Sequence, residues 1–169
     1  MYNFYDKIIS HPEQQRQFTC CQNLITLFTC PLENKFQDLW SHHNYIVYVT
    51  EGRKIWHTAQ GSYDLQEGSC VLVRKGSSIV EQLFDARFCI FLFFITDDFI
   101  NTVLQQTSIL SEKQQQNYGA VIPIQKEETL DAFFHSMMFY FKNEKTPDPS
   151  LLELKFRELV LTIADNPAN

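Results

Sequence analysis

No stretch of this chain is long and apolar enough to cross a bilayer as a helix. The longest apolar run, Phe88 to Ile95, falls far short of the ~20 residues a span requires. The opening Met1-Tyr2-Asn3-Phe4 lacks the charged-then-apolar pattern of a secretory leader. CxxC pairs are missing too: the five cysteines, at positions 20, 21, 30, 70 and 89, form an odd set. A disulfide framework and a zinc site are both disfavoured, leaving free thiols that pack as small hydrophobes in a reducing cytoplasm. Nor is there a basic excess, because 14 Lys and Arg face 20 Asp and Glu for a net charge of −6. That balance excludes a nucleic-acid footprint over the whole chain. The sequence has no P-loop, no GxGxxG, no Gly-x-Ser-x-Gly elbow and no internal repeat. What remains is ordinary globular material: 169 residues, 44% hydrophobic and 20% charged, enough for one domain with a helical appendage.

From about Phe18 to Ile95 the chain reads as short β-rich runs broken by turns. Phe18-Thr19-Cys20-Cys21 leads into Leu24 to Thr29, which Pro31 stops. Tyr45 to Val49, Lys54 to Thr58, Ser62 to Leu65, Cys70 to Val73, Ser78 to Val80 and Arg87 to Ile95 follow. The pairs Glu51-Gly52, Gln60-Gly61, Glu67-Gly68 and Lys75-Gly76 punctuate them as tight reversals. No amphipathic helix intervenes, so the strands belong to an antiparallel sandwich or barrel rather than to a parallel sheet.

After Thr96 the character changes. Asp97-Asp98 suits a helix start ahead of Phe99-Ile100 and Val103-Leu104, and the Gln-rich stretch from Gln105 to Asn117 reads as a surface helix ending in a loop. Val121-Ile122-Pro123-Ile124 is a short extended piece. A helix opens at Glu127-Glu128 and runs to about Lys142, with Leu130, Phe134, Met137 and Phe141 on one face. Pro147-Asp148-Pro149 breaks it, Asp148 or Ser150 can cap the next, and Leu152, Phe156, Leu159 and Ile163 repeat the spacing until about Asn166-Pro167. Both helices are apolar beyond one stripe: Phe133, Met138, Phe139 and Tyr140 flank the first seam, and Leu151, Leu154, Val160 and Leu161 the second. Docking on one sheet needs about a third of a helix circumference, so a second apolar face is left for a two-fold partner or a wholly internal hairpin.

An all-β barrel of this size suggests a cupin. Metal cupins hold their ion with His-x-His on alternate strand positions, which puts both imidazoles on one face. Here Gly52 is followed by Lys54-Ile55-Trp56-His57-Thr58 with a single His, and Ser78, Ile79 and Val80 stand where the second block needs a ligand. His42 and His43 are adjacent and would face opposite sides of a strand, so no metal and no cofactor is expected. His57 reads as a rim or wall residue, and Glu81 as an edge carboxylate or as one that points inward to read a ligand. Arg74-Lys75 beside Gly76-Ser77-Ser78 forms the one compact basic corner of the β half, either an ordinary charged turn or a seat for a partner or a carboxylate ligand.

Taken in order, Tyr45-Ile46-Val47-Tyr48-Val49-Thr50-Glu51-Gly52, Leu65-Gln66-Glu67-Gly68 and Val71-Leu72-Val73-Arg74-Lys75-Gly76-Ser77-Ser78-Ile79-Val80 resemble the degenerate cupin of AraC-family transcription regulators. Val-Arg-Lys-Gly-Ser-x-x-Val is similar to the branch that activates type III secretion regulons, and Leu151 to Leu161 resembles that branch's dimerisation helix. The resemblance implies a fold that is mainly β with C-terminal α: a jelly-roll barrel over residues 1–96 and an antiparallel helical hairpin over 97–166 that pairs two subunits. It places Leu152, Lys155, Phe156, Leu159 and Ile163 at a homodimer interface and a DNA-binding helix-turn-helix unit after Asn169. The barrel positions that look equivalent to a sugar-binding set are Cys89, Phe91 and Ile79, which are largely apolar. With Trp56, His57 and Glu81, Cys89 and Phe91 make up the candidate ligand-binding residues. A hydroxylated ligand would leave its hydrogen bonds unmet there, so the barrel is either filled by its own Phe side chains or takes an apolar molecule such as a fatty acid. In this branch a regulatory protein can replace the small effector. The alternative class is a small cupin enzyme, a metal-dependent isomerase or dioxygenase.

Overall fold

The computed structural model describes residues 2–30, 34–83, 87–107, 119–143 and 145–169. Two sheets face each other as a jelly-roll-like barrel, and helices cover the outer side of one of them. The chain enters through β1 (Tyr2–Asn3) and α1 (Phe4–Ile9), then β2 (Gln17–Cys20), β3 (Asn23–Thr29), β4 (Phe36–Ser41) and β5 (Asn44–Glu51). Next come β6 (Arg53–Thr58), β7 (Gly61–Gln66), β8 (Cys70–Val73), β9 (Gly76–Gln82) and β10 (Cys89–Ile95). Helix α2 (Asp97–Gln105), strand β11 (Val121–Pro123), and helices α3 (Glu128–Lys142) and α4 (Pro149–Asp165) complete it.

One sheet is five-stranded in the order β1-β4-β9-β6-β7, and the other is six-stranded in the order β11-β8-β5-β10-β3-β2. Apart from the short parallel β1–β4 contact, the pairings are antiparallel, as the Gly-marked reversals require. The six-stranded sheet is buried on both sides. Ile90, Leu92 and Phe94 of β10 pack into the barrel with Val47, Trp56 and Val80, and α1 adds Phe4 and Ile8. Phe91, Phe93 and Ile95 point the other way, into a second core with Phe133, Phe134 and Met137 of α3 and Leu152, Phe156 and Leu159 of α4. Each such side chain removed from water is worth ~1.5–3 kcal/mol, so this strand explains why the longest apolar run shows no alternation.

The helix boundaries follow from local chemistry. Thr96 caps α2 by accepting the Phe99 N–H, and Asp148 caps α4 by accepting the Ser150 N–H, with Pro149 in the first turn. The Lys155 Nζ–Ser136 Oγ contact, 3.3 Å, joins positions equally far from the turn between α3 and α4, as an antiparallel hairpin requires. Strand β11 returns the chain to the barrel: Ile122 is the register partner of Leu72. The Gln-rich stretch falls largely outside the described residues, as does Pro31. Within the described part α2 ends at Gln105. Helix α1 and strand β4 were not read from the sequence.

Gly52 makes the β5–β6 reversal with φ +85°, and a Cβ there would lie 2.2 Å from the Arg87 carbonyl oxygen. A left-handed alanine combined with that clash costs at least ~2 kcal/mol. Gly52→Ala should therefore lower the urea midpoint clearly without changing the slope of the transition; an unchanged midpoint would contradict the packing of this turn.

Candidate functional site

Among the described residues the barrel interior is closely packed. The void beside Trp56 has a volume of about 10 Å³, room for no more than a water, and Phe4, Phe28 and Phe88 crowd it. Of the two sequence readings of the barrel, filling by its own Phe side chains is what the structure has. The unexpected occupant is Lys54, only 1% exposed, whose Nζ lies 2.6 Å from Cys30 Sγ and 5.0 Å from the Phe88 ring centroid. Burial pushes its ammonium below the ordinary value, and the Cys30 thiol opposes that shift. Gln82, its register partner, is buried with neither amide atom partnered among the described residues.

The five sequence-derived ligand residues do not converge. Trp56 faces the barrel core. His57 and Glu81 lie on the outer side of the five-stranded sheet, where His57 Nε2 meets Glu81 Oε2 at 2.9 Å and its Nδ1 meets Ser62 Oγ at 2.7 Å. The His57 hydrogen bond holds the Glu81 carboxyl below its usual range, and Lys35 at 3.6 Å adds to the effect. Glu81 thus points away from the interior, because β9 turns Ser78, Val80 and Gln82 inward instead. Cys89 sits at an irregularity of β10 with Sγ 3.3 Å from Thr29 Oγ1. Phe91 packs edge-on against Phe141 of α3, 5.4 Å between centroids, on the face of the sheet opposite to Trp56. A continuous apolar strand gives no parity signal, and the barrel-lining expectation for Phe91 is corrected on that ground.

The C-terminal seam is likewise consumed internally. Leu152, Phe156 and Leu159 are buried in the helix–sheet core, with Leu159 fully inaccessible, so they are closed to a second copy. Lys155 stays near the surface in an ion pair with Glu158 at 2.7 Å. The apolar side chains left outside are Leu151 and Leu154 on α4, the latter 61% exposed, and Phe139 on α3, 66% exposed.

A cavity of about 310 Å³ opens between the outer side of the six-stranded sheet and the helices. Its floor is Ile46, Leu72 and Ile95; α2 supplies Ile100 and Leu104 as one wall. Residues 122–124 form another wall, and Val160, Ile163 and Ala164 of α4 close the end together with Asn169. The lining is aliphatic but for Asn169, whose Oδ1 accepts the Gln125 N–H at 2.6 Å. Its size and lining are those of a small-molecule pocket. Ile163, assigned from sequence to a dimer seam, belongs here. The groove escaped sequence reasoning because its residues come from six separate elements and Asn169, though the surplus of aliphatic positions on α4 hinted at it.

Among the described residues, one group of donors is close enough to share an ion, Cys20, Cys21 and Glu153, outside the barrel. Burial and the Cys21 thiol push the Cys20 thiol up to about 11, and Glu153 is engaged by Arg157 at 3.2 Å. No helix among the described residues is long and apolar enough to cross a membrane.

Lys54 yields a signed prediction. Its folded value lies below 10.5, so between the two values the unfolded chain binds more protons and stability from this group rises with pH. Lys54→Met should stabilise the protein by about 1–4 kcal/mol at neutral pH, and the gain should shrink as pH approaches 10.5, in urea titrations of both proteins. A gain that grows with pH would overturn the assignment.

The model of the ExsA N-terminal regulatory domain matches residues 44–169. A search of curated proteins finds no match. Among solved structures, apo ToxT from Vibrio cholerae is similar with a TM-score of 0.56 at 14% identity, covering 80% of this chain and 53% of that one. Wild-type ToxT from Vibrio cholerae bound to an unsaturated fatty acid gives 0.51 at 12% identity, covering 85% and 55%. Vibrio cholerae ToxT bound to a methylnaphthalenyl butenoic acid gives 0.50 at 14% identity, covering 85% and 57%. These are likenesses of fold, and the chain spans about half the length of the ToxT chains. With the family model covering most of its length, the chain belongs to the ExsA N-terminal regulatory domain family of AraC-type transcription regulators.

Proposed function

We propose that this chain is the effector-sensing and dimerisation part of a DNA-binding regulator rather than an enzyme. In this reading the barrel of residues 1–96 and the helices of 97–166 act together, and a helix-turn-helix unit in the full-length regulator, working in the cytoplasm, carries the DNA contact. The observation that carries it is the groove, which the barrel sheet, α2 and the end of α4 build jointly. An occupant touching all three would favour one placement of α4 over another, which is the differential affinity that allosteric control requires. An apolar small molecule fits the aliphatic lining, and two of the similar ToxT structures hold acids with apolar bodies. A catalytic reading has less support: the imidazole of His57 faces a carboxylate on an outer sheet face, away from the groove.

The second copy docks on the exposed face of α4 through Leu151 and Leu154, with Lys155 at its margin, and not on the buried seam. This rests on burial: Leu151 is 38% and Leu154 61% exposed, while Leu152 and Phe156 are inside. Light scattering on the eluting protein at micromolar concentration should give a dimer, and Leu151→Glu with Leu154→Glu should give a monomer of unchanged circular dichroism. Leu159→Ala should instead cost ~2–5 kcal/mol of stability, as a cavity in a packed core does. A monomeric wild-type chain would refute the dimer.

A further inference from the structure

Two polar side chains are buried in the barrel where apolar packing does not require them. Lys54 of β6 and Gln82 of β9 are each 1% exposed and are register partners, beside the apolar pair Trp56 and Val80. A buried ammonium costs stability unless it is paired, so the position calls for a role other than packing. What Lys54 gains is proximity to sulfur. Its Nζ donates to Cys30 Sγ at 2.6 Å, closer than an ordinary N–H···O bond although sulfur is the larger atom. The Cys30 N–H is tied to the Phe88 carbonyl at 3.0 Å, and the Phe88 ring centroid lies 5.0 Å from Nζ, so both partners are held in place. Cys30 directly follows β3 of the six-stranded sheet, whereas Lys54 belongs to the five-stranded one, and the contact therefore links the two sheets.

The two groups differ in access. Cys30 is 9% exposed and Lys54 1%, so a small oxidant meets the sulfur first and the amine lies behind it. The void that both line together with Gln37 measures about 10 Å³, which keeps a bulky thiol from the sulfur on that side. We propose that Cys30 and Lys54 are a modification site, closed by peroxide into a sulfenamide crosslink between Sγ and Nζ. The reacting pair is thiolate and ammonium. The thiolate attacks hydrogen peroxide: the S–O bond forms, the O–O bond breaks, and the departing hydroxide takes a proton from Nζ to leave as water. Sulfenic acid now stands beside a neutral amine, the form that burial of Lys54 favours. The amine lone pair attacks sulfur, the S–N bond forms, the S–O bond breaks, and hydroxide leaves with a proton from nitrogen as a second water. Sulfur is oxidised by two electrons, the peroxide oxygens are reduced, and no other reactant is consumed. Gln82, whose amide atoms have no partner among the described residues, is placed to accept the N–H left on the bridge. The site lies in the barrel, apart from the groove, and stands whether or not the chain binds an effector.

The test treats the reduced chain with a small excess of hydrogen peroxide and maps it by peptide mass spectrometry without reductant. The Cys30 and Lys54 peptides should be recovered joined, lighter than their sum by the hydrogens lost, and should separate on adding dithiothreitol. Mapping the joined peptides keeps this link apart from a disulfide, which loses the same mass. The oxidised chain should unfold at higher urea than the reduced chain and lose that gain with dithiothreitol, as a crosslink between two sheets requires. Lys54→Met should abolish the link and raise dimedone labelling of Cys30 severalfold, because the sulfenic acid then has no amine to consume it. The wild-type map decides the matter even where a variant fails to fold. Cys30 joined to another cysteine, Cys30 carried on to sulfinic acid with Lys54 unmodified, or both residues unchanged while Cys21 reacts would each overturn the proposal.

Discussion

Everything in this molecule is arranged around one strand that has no solvent side. Cys89 to Ile95 is buried at every position, alternating between the barrel core and the helix layer. A strand with two dry faces needs two covers. The five-stranded sheet supplies one and the helices the other, so the helices are part of the same folded body. Phe93 makes this concrete, with ring centroids 5.8 Å from Phe133, 6.0 Å from Phe134 and 6.3 Å from Phe156. Without the helices that ring and Phe91 would lie on an open sheet, a patch of the kind that aggregates or recruits a partner.

The filled barrel then restricts where a ligand can go. Aromatic side chains from both sheets and from α1 occupy the interior, and the buried Lys54–Cys30 contact spends the remaining room on polar groups. Among the described residues an apolar space of about 310 Å³ lies in the second layer, where helices meet a sheet.

Legibility followed physical signal. Strands β5 to β9 were readable because Gly-marked turns separate alternating runs, and α3 and α4 because a 3.6-residue period ends at prolines. Strand β4 was missed because its pattern is inverted: Phe36 and Trp40 face outward, 53% and 41% exposed, while Gln37 and Ser41 turn in beside Leu39. The short helix Phe4–Ile9 holds too few residues to show a period. Trp56 lies in the barrel while His57, grouped with it from the sequence, falls on the opposite face as the next residue of a strand must, and Phe91 sits in a run where both faces are apolar. The groove was beyond reach for another reason: it depends on register between Ile46, Leu72 and Ile122, a relation among strands distant in sequence.

The same register gives the groove leverage. Helix α4 lines it at Val160, Ile163 and Ala164, while its exposed leucines lie one end away, Leu154 standing about 14 Å from Ile163 along the axis. A rigid helix converts a small change at one end into a change of pose at the other, without any rearrangement of the barrel. The energy needed is within reach of a short chain. Moving an equilibrium from 1:99 to 99:1 takes about 5.5 kcal/mol, and one buried methylene supplies ~0.8. About seven methylenes held in one pose of α4 and released in the other would throw the switch completely. Two or three would bias it some thirtyfold, so in the proposed regulator the length of an apolar effector would set how far the proposed dimer face is turned.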